Sequence, residues 1–172
     1  MILQIYTAIH VLISLLAIAT GLAVFYGLLT APQPHRWTMF FLLTTLATSV
    51  TGFFFPFHGF TPAYAFGAIS VVVLTVAIYA LRNRRLAGGW RRAYVINALV
   101  ALYLNVFVLV VQLFLKVSAL KALTPPQPGP PSGPVFGAVQ GTVLLVFLVL
   151  GTMATLRFRG ETPAESLETN PS

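Results

Sequence analysis

The chain has 172 residues, of which 58% are hydrophobic and only 8% charged, with a formal net charge of +7. Soluble domains average about 25% charged residues, and one of this length has no core large enough to hide so much apolar surface. The absence of cysteine excludes a disulfide, a thiolate zinc site, a thiol nucleophile and a cysteine-ligated iron–sulfur cluster.

Five apolar stretches follow one another, each long enough to cross roughly 30 Å of hydrocarbon as a helix. The first covers about residues 3–29, and with no basic segment before it and no small-residue cleavage site after it, it reads as retained. Residues 31–36, with two prolines, form a tight turn into a second span at about 37–55. A short connection holding Pro56, His58 and Pro62 leads to the third span, about 63–81. A basic turn with Arg82, Arg84, Arg85, Arg91 and Arg92 then opens the fourth, about 93–115, which runs on as a lightly amphipathic piece to Leu123. The proline-rich residues 124–134 are a stiff connector to the fifth span, about 135–156. The expected fold is an all-α integral membrane bundle, with spans one to four alternating up and down and the fifth packed alongside. Residues 1–159 form one transmembrane domain, and 160–172 read as a disordered tail.

The basic residues orient it. Arg36, the five arginines of the basic turn, Arg157 and Arg159 fall on one side, against Lys116 and Lys121 on the other. The positive-inside rule then puts the tail in the cytoplasm and the N-terminus outside an inner membrane, with Tyr26, Trp37, Tyr79 and Trp90 as a cytoplasmic aromatic belt. The arginines are topology signals and contacts for anionic lipid, because no basic element is long enough to dock nucleic acid. A shift of 53 residues superposes Tyr26 on Tyr79 and Trp37 on Trp90, the pattern of a duplicated hairpin.

Three sets of side chains are candidates for chemistry. Within span one, Tyr6, His10, Ser14, Ala17 and Gly21 share a face, and an ionisable group inside a bilayer usually points into the bundle. The plainest role for His10 is a neutral imidazole hydrogen-bonded to Ser14 or to a neighbouring helix. The sharper alternative pairs it with His58, on the same side, as ligands of a haem b iron or a metal ion in electron transfer. In span four Asn97, Asn105 and Gln112 form a polar stripe that joins helices, with Thr45 and Thr48 of span two as facing hydroxyls, or lines an oligomeric channel or carrier. Small pairs, Gly137 with Gly141, Ala17 with Gly21 and Ala63 with Gly67, mark close helix contacts, within the chain or against a second copy.

His10, Gly21, the Pro34–Trp37 opening of span two and the Ser49–Gly52 run late in it resemble small uncharacterised bacterial multi-pass membrane proteins. At greater distance the helical pattern over about residues 1–115 is similar to four-helix membrane cytochromes b. That second likeness implies haem between paired histidines on facing helices. Here only His10 lies well inside a span, and His35 falls on the opposite side. The leading expectation is therefore a non-enzymatic membrane protein without a cofactor, an accessory or assembly subunit in a homo-oligomer or a larger membrane complex.

Overall fold

Hydrocarbon offers no partner to a backbone N–H or C=O, so an apolar chain bonds its backbone within each segment and forms helices. In the computed structural model the described residues are 1–30, 35–55, 62–126 and 129–157. Among them are α1 (Ile2–Thr30), α2 (His35–Gly52), α3 (Pro62–Arg82), α4 (Trp90–Lys116), the single turn α5 (Ser118–Lys121) and α6 (Pro134–Arg157), and no strand. His58 and the tail lie outside the described residues, as do Arg159 and the side chain of His35.

Helices α1 and α2 pair as one hairpin and α3 and α4 as another; α2 packs on α3, and α4 closes the ring against α1 while touching α2 across it. Helix α6 lies in the groove between α4 and α1 and reaches neither α2 nor α3. The α4–α6 contact is antiparallel, since Phe114 meets Phe136 at one end and Leu99 meets Gly151 nearer the other.

Four helices are long and apolar enough to cross a membrane: α1, α3 from Tyr64, α4 and α6. Helix α2, at 18 residues, carries six hydroxyl side chains and is less apolar than these. Most of its hydroxyls fold back on their own helix: Thr44 donates to Phe40, Thr48 to Thr44, Ser49 to Thr45 and Thr51 to Ala47. Such back-bonding removes the hydroxyl proton from competition and lets a hydroxyl-rich helix sit in a dry bundle.

The core fills the ring with Val24, Phe41, Leu42, Leu74, Tyr94, Val95 and Leu102. At Gly21 α1 meets both α2 and α4, with Phe41 and Leu102 occupying the space a methyl group there would take. The outer surface is apolar as well: Ile9, Leu12, Leu15, Leu145, Leu148 and Val149 all face outward. A soluble protein rarely exposes a patch of this kind, whereas a bilayer covers it.

Candidate functional site

At the end of the bundle where α1 begins and α2 finishes, the side chains of Tyr6, His10, Thr51 and Phe55 tie the helices together. The Tyr6 hydroxyl donates to the Thr51 carbonyl at 2.5 Å, and His10 Nδ1 lies 2.9 Å from Thr51 Oγ1. Phe55 sets its ring edge-on to both, 5.0 Å from the Tyr6 ring centroid and 5.0 Å from that of His10. Local sequence explains the arrangement. Tyr6 and His10 are four residues apart and share a face of α1, while Thr51 and Gly52 form the last turn of α2. A methyl group on Gly52 would stand 3.8 Å from His10 Cε1, an ordinary contact distance, so the last turn of α2 lies beside the imidazole.

Proton placement follows from counting donors. The Thr51 hydroxyl has one proton, and its oxygen lies 2.7 Å from the Ala47 carbonyl and 3.2 Å from that of Thr48. With that proton engaged inside α2, Thr51 Oγ1 accepts from His10, so Nδ1 carries the imidazole proton and Nε2 keeps its lone pair. Ser14 is not the partner of the ring: its hydroxyl donates to the His10 carbonyl at 2.7 Å. No group of three or more His, Cys, Asp or Glu able to hold a metal ion occurs among the described residues. His58, the second proposed ligand, lies outside them.

The span-four stripe separates into three situations. The Asn97 amide donates to Ala93 of its own helix at 2.8 Å. Asn105 is half-buried, and its Nδ2 finds no acceptor among the described residues. Gln112 is exposed. Thr45 Oγ1 is buried without a partner among the described residues, and Thr48 bonds within α2. Besides the contacts at Thr51, polar ties between helices come from other residues: Tyr94 shares a hydrogen bond with Thr38, linking α4 to α2, and Gln140 Nε2 donates to the Phe107 carbonyl at 3.1 Å, linking α6 to α4. The sequence signal for Gln140 was present, a lone amide in an apolar span.

The small-residue pairs separate as well. Gly21 is packed, and a methyl on Gly67 would meet the Phe53 ring at 3.0 Å. Gly137 and Gly141 have nothing within 4 Å of a methyl built on either among the described residues, so this pair does not pack against them. Helix α6 docks instead through Gln140, Gly151 and Ala154, its buried residues. At the opposite end of the bundle, Arg82, Arg84, Arg85 and Arg92 are exposed and Arg91 is half-buried.

No protein-family model, curated protein or solved structure matches this chain.

Proposed function

We propose that this chain is a non-enzymatic inner-membrane protein with five spans, N-terminus out and C-terminus in, that acts as an accessory or assembly subunit through helix–helix contacts. The observation that carries the reading is the outer face of α6. Gly137 and Gly141 stand beside open space on a helix that buries only a narrow seam, and small residues are what allow a further membrane helix to approach closely. In this reading α2 is the fifth span, which its hydroxyl back-bonds and its place in the ring support. The basic turn contacts anionic lipid on the cytoplasmic side.

Two experiments test it. A reporter fused after Arg159 should report cytoplasm and one inserted at Gly129 the outside; both on one side removes either a span or the orientation. A photo-crosslinking residue at Gly141, activated in native membranes, should join the chain to a membrane polypeptide or to a second copy. Crosslinks to lipid alone would remove the assembly role.

A haem- or metal-binding reading rests on the lone pair at His10 Nε2, which makes no hydrogen bond among the described residues. The visible spectrum of the purified protein decides it.

A further inference from the structure

This inference deepens the reading of the basic turn as a contact with anionic lipid, and rests on it. Helix α3 ends, α4 begins and α6 ends at the same end of the bundle, which brings Arg82, Arg84, Arg85, Arg91, Arg92 and Arg157 together there. No carboxylate among the described residues neutralises them, because the chain's acidic residues are Glu161, Glu165 and Glu168. Arg91 Nε is buried and has no acceptor among the described residues.

The turn is held in shape. Asn83 and Arg84 both donate to the Tyr79 carbonyl, at 2.9 and 3.2 Å, and Leu86 N–H reaches back to Ala80 at 3.0 Å. Arg85, Leu86 and Gly88 take positive φ, which folds the chain sharply enough for Leu86 to pack against the core. Within this frame one arginine differs from the others. The Arg84 guanidinium carbon lies over two rings, 5.7 Å from the Tyr79 centroid and 5.1 Å from that of Trp90, and those rings meet edge-on at 5.3 Å. A guanidinium carries five N–H donors, and a cation–π contact consumes none of its charge, so a cation seated beside two rings keeps donors for a planar pair of oxygens. Trp and Tyr at a helix end favour the depth of the headgroups, so the cation is held at the level of lipid phosphate.

We infer that Arg84, held by Tyr79 and Trp90, is a preformed site for the phosphate of an anionic phospholipid, whose charge no cationic choline offsets. The surrounding arginines supply attraction that depends on charge alone. Charge counting and a preformed site make opposite predictions for Trp90→Leu, which removes no charge, and for Arg85→Gln, which removes one outside the aromatic pair.

The test uses the full chain in nanodiscs of phosphatidylcholine doped with phosphatidylglycerol, reading the affinity for phosphatidylglycerol by native mass spectrometry. Arg84→Gln should lower it by more than the about fivefold that corresponds to the ~1 kcal/mol of any one cation at a membrane surface. Trp90→Leu should lower it by a similar factor, and Arg85→Gln by less. Trp90 also touches the core, so Tyr79→Leu, at an exposed ring, is the second variant and should behave like Trp90→Leu in protein whose helix content is unchanged. Ring variants that match the parent, with Arg84→Gln and Arg85→Gln equally weakened, would overturn the site and leave the broader lipid contact standing. A parent with no preference for phosphatidylglycerol would remove both. Displacement of the lipid by inorganic phosphate at modest concentration would reassign the site to a free anion and overturn the lipid assignment.

Discussion

A methyl group built on Gly21 falls 2.6 Å from the ring of Phe41, on the neighbouring helix, and equally close to Leu102 Cδ1 on a third. Both neighbours are almost fully buried, at 1% exposure each, so neither has space to turn aside. Gly21→Ala should therefore push α1 away from α2 and α4 despite its better helix propensity. The expected loss is about 1–3 kcal/mol, the usual cost of overpacking a close-packed core. Reversible unfolding in mixed detergent measures it, and an unchanged stability would mean that the three helices do not meet at this glycine.

The glycines of α6 should behave differently from one another. A methyl on Gly151 meets Leu99 Cδ1 at 3.3 Å, whereas Gly137 and Gly141 have no neighbour within reach. Gly151→Leu should loosen α6 from the bundle, and protease sensitivity of the α5–α6 connector reports that. Gly137→Ala and Gly141→Ala should leave the isolated chain's stability unchanged or slightly raised, since alanine is the better helix former by about 1 kcal/mol. A large loss in either would place the Gly137 face against another part of this chain.

This contrast shows what the sequence holds. Long apolar stretches bounded by proline turns and arginines announce helices, because those signals act within a few residues of one another. Which face of a helix is buried in a membrane is another matter. With apolar side chains on every side, α6 has no polar face to mark the outside, and the Gly137–Gly141 spacing draws attention to the face the bundle leaves open. The same limit hid the partner of His10. Spacing along α1 groups it with Tyr6 and Ser14, but Thr51 is 41 residues away and meets it only through the register of α2 against α1. In α2 the hydroxyls of Thr45 and Thr48 suggest partners for the span-four amides, yet most of the helix's hydroxyls turn inward to their own backbone.

Gln140 joins α6 to α4 but with one half of its amide. Nε2 reaches the Phe107 carbonyl, while Oε1 is buried with no donor. A hydrogen bond of this kind between membrane helices contributes about 0.6 kcal/mol. An orphaned buried acceptor costs about 1–3 kcal/mol. The second term is the larger, so Gln140→Met, which fills similar space without either polar atom, should stabilise the isolated chain. A loss of more than about 1 kcal/mol would show that Oε1 has a donor in the working protein, such as a group on an adjoining membrane helix.

His10 is the position where a structural and a ligand-binding role separate most cleanly. If its work is to tie α1 to α2 through Nδ1–H and Thr51 Oγ1, then His10→Leu and Thr51→Val should each destabilise modestly, and the double variant should lose little more than either single one. The coupling expected from such a cycle is about 0.5–1.5 kcal/mol, that of one hydrogen bond in a bundle. His10→Gln should recover part of it, because a side-chain amide can donate to the same oxygen. If instead the free Nε2 ligates a haem iron, the parent carries a Soret band and His10→Gln abolishes it in protein that remains folded, since glutamine does not replace an axial imidazole. We expect a parent without a visible band and a measurable His10–Thr51 coupling. Additive single-variant losses together with a haem spectrum would transfer His10 from the framework of the bundle to its chemistry.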